Sequence, residues 1–138
     1  MTAPTWVTVS IATAIHDEAI YEFGGLAGVR DSGLLQSALD RPCNLFAYEP
    51  GSSIFELAAA LCVGIAKNRP FHDGNKRTAL LATRAFLYLN GHELEPTQAD
   101  EVTTFVAVAN GLLDERRLAE WLKRNSSRRC EVPVQNFL

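Results

Sequence analysis

The sequence lacks most of what would mark a disulfide-stapled, metal-bound or membrane protein. Its three cysteines, Cys43, Cys62 and Cys130, are odd in number, far apart and contain no C-x-x-C pair, which argues against a disulfide framework and a cysteine zinc site. Histidine is as scarce: His16 and His92 have acids nearby but no second His or Cys at ligand spacing, so surface or helix-end roles are expected for both. The longest apolar run, Ile54 to Ala66, contains Glu56 and is too short to span a bilayer. The opening "MTAPTWVTVS" has no basic stretch followed by an apolar core, so no signal peptide is expected. A net charge of −3 gives no general attraction to nucleic acid, and any anion site must be local. No repeat, low-complexity tract or dividing linker is present. What remains is a soluble, cytoplasmic globular protein with no membrane association and no direct nucleic-acid binding expected.

The 138 residues, 47% apolar and 21% charged, suffice for one domain with a real core. A single domain over 1–138 is expected, with an ordered core at about 5–125 and a C-terminal tail, 126–138. Ile11, Ala14, Ile15 and Ala19 fall on one face at helical spacing, and "FGGLAG" ends that helix. "DSGLLQSALDRP" predicts a short helix opened by Asp31 or Ser32 and stopped by Pro42, followed by a loop "CNLFAYEPGS" carrying Phe46 and Tyr48. Ser53 and Glu56 make a capping box for a helix that runs to about Asn68 and is apolar nearly all round. Pro70 breaks it, and a second mostly apolar helix runs from about Gly74 to Leu89, with Phe86 and Tyr88 assigned to the core. "PTQADEV" opens a further helix that ends at Asn110-Gly111, and an amphipathic one spans Asp114 to about Arg124. "SSRR" (126–129) is read as a solvated helix end, and no strand pattern exceeds the short "WVTVS". The fold class is therefore all-α: about six helices around two central hydrophobic ones.

The segment Lys67 to Gly91, "KNRPFHDGNKRTALLATRAFLYLNG", carries the chemistry. Asp73 is a natural N-cap, with Gly74, Asn75, Lys76 and Arg77 in or beside the first turn. Unpaired N–H groups and the positive dipole end favour an anion there. Lys76 and Arg77 are cations at the wrong helix end, a broken local rule that a bound phosphate would turn to advantage. Asp73 beside a phosphate is placed to hold Mg²⁺. The same residues also fit a plain capped turn with solvated cations.

The stretch "NRPFHDGNKRTA" is very similar to the signature N-H-x-F-x-D-[GA]-N-K-R-T-A of the death-on-curing (Doc) toxins, a branch of the Fic superfamily. Upstream, "GVRDSGLLQSALDRP" (Gly28 to Pro42) resembles the Doc pattern G-[LIV]-R-D-x-G-L-L-x-[SA]-A-L-x-R-P. The resemblance covers almost the whole chain and implies a Fic-like fold. It places Asp73 where the family's carboxylate faces Mg²⁺. Gly74, Asn75, Lys76 and Arg77 fall at the phosphate-binding positions, and Asp73, Asn75 and Arg77 among the catalytic ones. Phe71 falls at the buried aromatic that anchors the loop. AMP-transferring Fic proteins have a glycine where this chain has Lys76 and a second arginine where it has Leu80. Doc toxins share that departure, which implies a kinase that phosphorylates elongation factor Tu with ATP and stops translation.

Position 69 departs from the family: it holds Arg69 where the catalytic histidine should take the proton from the attacking hydroxyl. A guanidinium stays protonated and has no acceptor lone pair, so it cannot be a general base. His72, at a variable family position, is read as a structural or surface residue. Arg69 is either an inactivating substitution or the mark of a natural, silent member. The alternatives to a Doc kinase are a Fic-type AMP-transferase and a non-catalytic antitoxin-binding or co-repressor module. The resemblance also implies a Phd-like antitoxin whose C-terminal helix binds the toxin. The Gly24–Gly28 loop and the segment around Phe46 and Tyr48 are expected to frame its groove.

Overall fold

The computed structural model describes residues 3–129. Six helices and one two-stranded sheet follow in the order α1 (Val9–Phe23), α2 (Ser32–Tyr48), α3 (Ile54–Asn68), α4 (Asn75–Leu89), β1 (His92–Leu94), α5 (Gln98–Ala109), α6 (Glu115–Arg124) and β2 (Ser126–Arg128). The expected all-α bundle is present. Most helix starts obey local capping chemistry. Thr8, Asp31, Ser53, Thr97 and Asp114 each accept a backbone N–H from the first turn of their helix. The Ser53–Glu56 capping box is complete in both directions, at 3.1 and 3.2 Å.

Helix α3 is the axis of the bundle. Every residue from Leu57 to Ile65 is buried, and the helix packs against α2, α4, α5 and α6. Cys62 lies within it, fully buried, and burial pushes its thiol pKa up to about 12, so it acts as a small apolar side chain. Phe86 of α4 is buried and stacks on Trp6, which also meets Phe46 edge-on. Trp121 of α6 donates its indole N–H to Asp100 of α5 (3.1 Å) and packs edge-on against Phe105. No helix among the described residues is long and apolar enough to cross a membrane.

Several expectations change. Helix α2 does not stop at Pro42 but runs on to Tyr48 with the proline inside and buried. An interior proline removes the bond to the carbonyl four residues back and costs about 3 kcal/mol. That carbonyl belongs to Ala38, beside which α3 presents Gly64: a Cβ on Gly64 would lie 3.2 Å from both the Cα and the O of Ala38. Close backbone approach of α3, with Leu45 and Phe46 packed on the core, offsets the lost bond. "CNLFAY" is thus helical, and Tyr48 at its end is 90% exposed. Phe46 and Tyr48 also lie roughly 20 Å along α2 from its start, at 1.5 Å per residue.

The buried face of α1 is Ala12, His16 and Ala19. Ala14 is exposed, so the stripe is rotated from the one expected. Tyr88 is half-exposed, under the guanidinium of Arg129. "WVTVS" forms no strand, and its Val9 already begins α1. The segment at 126–128 is a strand and not a helix end: Leu94 pairs with Ser126 and His92 with Arg128, antiparallel. Residues 130–138, the rest of the expected tail, lie outside the described residues.

Gly64→Val places a branched side chain against the α2 backbone at its closest approach to α3. Overpacking should exceed the glycine's helix-propensity deficit, with a net loss of about 2 kcal/mol. Urea denaturation monitored by circular dichroism measures it, and an unchanged midpoint would show that α2 can move aside.

Candidate functional site

The site is built on the turn between α3 and α4. Helix α3 ends because Pro70 has no N–H to continue it. Arg69 is its C-cap, with φ 47 and ψ 58, and is the one non-glycine residue of positive φ among the described residues. A left-handed conformation costs a side-chain-bearing residue about 1–2 kcal/mol, and a residue before proline ordinarily prefers extended backbone. Arg30 holds the strained turn: its guanidinium donates to the carbonyls of Arg69 and Asn68, both at 2.9 Å. The backbone N–H groups of Arg30 and Asp31 both donate to Pro70 O. Val29 forms an antiparallel bridge with Phe71, and His72 N–H donates to Gly28 O. The two sequence blocks that carry the family resemblance are therefore hydrogen-bonded to each other.

Phe71 is buried at 1% exposure. Its ring stacks on His16 with centroids 3.9 Å apart and planes 7° from parallel. The Asn75 side chain accepts from Phe71 N–H and donates to Phe71 O, both at 3.0 Å. Asn75 can therefore offer an anion little beyond its backbone N–H; its amide braces the loop. His16 is not at the surface: it is buried at 1% exposure, and its Nε2 donates to the Asp73 carbonyl at 2.8 Å.

Asp73 is not the N-cap of α4. Gly74 takes that position at φ 74, and no side chain caps the first turn. A Cβ at Gly74 would sit 3.3 Å from Ile20 Cδ1, so glycine meets both the backbone angle and the lack of space. The Asp73 carboxylate turns instead to the glycine-rich loop, where Oδ2 accepts Leu26 N–H at 2.7 Å. The first-turn N–H groups of α4 are thereby left for something else.

They face a cavity of about 530 Å³ between this turn and α5, within the range of small-molecule sites. Arg69, Asp73, Gly74, Asn75, Lys76 and Arg77 all line it, with Leu80 deeper along α4. His72 is exposed and is not among the lining residues. The α5 wall supplies Glu101, Val102, Phe105 and Val106. Glu101 is ion-paired with Arg84, and Arg84 also donates to Leu94 O at 2.7 Å. Arg77 lies over the Phe23 ring, 3.7 Å from its centroid, which steers that cation by a cation–π contact. One end is thus cationic and donor-rich and the other largely apolar, which suits a phosphorylated molecule with a flat apolar portion. Asp73 is a single carboxylate, and no group of three or more His, Cys, Asp or Glu able to hold a metal occurs among the described residues.

Neither Arg30 nor the α5 wall is marked in the sequence as part of a site, and His16 reads there as a surface or helix-end residue. Arg30 had one usable signal: α3 must end at Pro70 with carbonyls needing a donor. His16 and α5 had none, because both meet the loop only through tertiary packing.

A family model described as the Fic/DOC family matches residues 6–87. The chain is 35% identical over 113 residues to "Protein kinase doc" of Escherichia phage P1, covering 80% of this chain and 87% of that protein. It is 37% identical over 97 residues to "Toxin Doc" of Mycolicibacterium smegmatis, covering 67% of this chain and 75% of that protein.

Asn75→Ala leaves the N–H and C=O of buried Phe71 without partners. The expected loss is about 2–4 kcal/mol, whereas exposed Lys76→Ala should stay within about 0.5 kcal/mol. Parallel urea titrations of the two variants check the contrast.

Proposed function

Because the chain belongs to the Fic/DOC family, we propose that it is the toxin of a toxin–antitoxin pair, built as an ATP-dependent phosphotransferase whose target is elongation factor Tu. The observation that carries this reading is the cavity whose charged end joins the uncapped start of α4 to Lys76, Arg77 and Asp73. Phosphoryl transfer depends chiefly on positioning and on neutralising charge. Lys76 and Arg77 meet the phosphate oxygens together with the N–H groups of the first turn. The apolar α5 wall, with Phe105 and Val106, receives the base.

Asp73 suits a Mg²⁺ ion: its Oδ2 is fixed by Leu26 N–H, and a single carboxylate with phosphates and water is the usual magnesium set. A Mg²⁺ held there by Asp73 would supply neutralisation of the phosphate charge. The protein's own contribution is to hold the phosphates, orient the hydroxyl of the target and exclude water.

Arg69 limits the reaction. It occupies the place of the proton-accepting histidine and cannot accept a proton. The chain as written is therefore a binder of nucleotide with little transfer activity. Arg69→His should raise transfer by about 10²–10⁴-fold, and adding Asp73→Ala should abolish it. Mass spectrometry of elongation factor Tu after incubation with ATP and Mg²⁺ reads the product: a phosphoryl mass supports the kinase, and an AMP mass moves the chain to the AMP-transferases. No modification by Arg69→His overturns the enzymatic reading and leaves the antitoxin-binding, co-repressor module.

The antitoxin, of the Phd type, would lay its C-terminal helix in an apolar groove. The groove between α1 and α4, about 530 Å³ and lined by Ala14, Ile15, Leu81 and Ala85, suits it better than the segment around Phe46 and Tyr48. Binding should raise the melting temperature of the unaltered chain by mass action. Calorimetric titration with the C-terminal peptide of the neighbouring antitoxin gene measures it; a folded chain with no heat of binding would remove the antitoxin partner.

A further inference from the structure

His16 lies outside the signature segment, yet it touches the loop at two points. Its ring stacks on Phe71, and its Nε2 donates to the Asp73 carbonyl at 2.8 Å. A carbonyl can only accept, so the proton of a neutral ring is on Nε2. Nδ1 is buried without a hydrogen-bond partner among the described residues. Packing alone would be served without that cost by an apolar ring, which fills the same space with no unsatisfied nitrogen.

The Asp73–Gly74 unit is gripped from one side by α1 and the loop after it. Ile20, one turn beyond His16, would touch a Cβ at Gly74 (3.3 Å) and at Gly25 (3.2 Å). The same Gly25 Cβ would lie 3.2 Å from Asp73 Cβ, and Leu26 N–H holds the Asp73 carboxylate. The peptide between Asp73 and Gly74 is trans, so its N–H points opposite to its carbonyl. Tying the carbonyl down to His16 therefore turns Gly74 N–H away from α1, and both residues border the cavity.

We infer that His16 is a positioning residue: through its Nε2–H it sets the Asp73–Gly74 peptide, and so the aim of the Asp73 carboxylate and the Gly74 N–H toward a magnesium-bound nucleotide. This rests on the proposed nucleotide reading of the cavity. His16 touches neither nucleotide nor reacting atoms, and acts on them through residue 73.

Two substitutions separate its two contacts. His16→Phe keeps an aromatic stack on Phe71 and loses the donor, whereas His16→Gln keeps an amide donor and loses the stack. Affinity for a non-hydrolysable ATP analogue with Mg²⁺, measured by calorimetry on the full chain, should fall about tenfold in His16→Phe. His16→Gln should stay within about threefold of the unsubstituted chain. Melting temperatures should rank the opposite way, with His16→Gln the lower. Unaltered affinity in His16→Phe, or no recovery in His16→Gln, overturns the inference. If the unsubstituted chain binds no nucleotide, the reading of the cavity fails by itself. Hydrogen exchange at the Leu26 amide, which Asp73 holds, then decides the positioning role: faster exchange in His16→Phe, restored in His16→Gln, supports it, and equal exchange in all three overturns it.

Discussion

The carbonyl groups left over where α3 ends are the constraint on which the rest depends. Pro70 forbids another turn, and buried or half-buried carbonyls must find donors. Arg69 N–H takes Ile65 O, and Arg30 takes the carbonyls of Asn68 and Arg69 with one guanidinium. That arginine comes from the connection before α2, so ending one helix also docks a distant segment. The Val29–Phe71 bridge follows, Phe71 is carried into the core, and Asn75 closes around its backbone. The start of α4 then has one place to be. The link between the two motif blocks is this repair of a helix end.

The charges of the site are frustrated when considered alone. Lys76 and Arg77 oppose the dipole of α4, Arg69 sits in a left-handed conformation, and the Asp73 carboxylate is spent partly on Leu26 N–H. The bundle tolerates this because its stability lies elsewhere, in the contiguous burial along α3 and the aromatic contacts of Trp6, Phe46 and Phe86. Strain and like charge are held where a polyanion would relieve them.

What could be read from the residues is what local chemistry decides. The Ser53–Glu56 box and the caps at Thr97 and Asp114 depend on neighbours within four positions, and they are where the sequence pointed. The two hydrophobic helices were legible for the same reason, whereas the burial of Phe71 was implied only by the family resemblance. The misreadings are all tertiary. Pro42 stays inside α2 where Gly64 of another helix closes on Ala38, whose carbonyl the proline leaves without an N–H. The strands β1 and β2 are three residues each and exist only through pairing across α5 and α6, so no alternation marks them. Asp73 appears to any sequence reader as a cap, but the loop at Leu26 competes for its carboxylate and wins. Asn75 looks like a ligand for phosphate, and its amide is consumed within its own turn.

The cavity is assembled from two separate parts of the chain. Its charged end comes from residues 69–77, inside the span that the family model matches, whereas its apolar wall is α5, beyond residue 87. That wall is tethered at its base by the pairing of Leu94 with Ser126 and by Arg84 reaching Glu101 and Leu94 O. Lengthening a surface connection costs little, about 0.6 kcal/mol per doubling, so α5 can be reshaped without disturbing the turn between α3 and α4. A change in α5 can therefore alter which molecule fits the far end while the turn between α3 and α4 keeps its shape, much as a lock keeps its bolt when the cylinder is replaced.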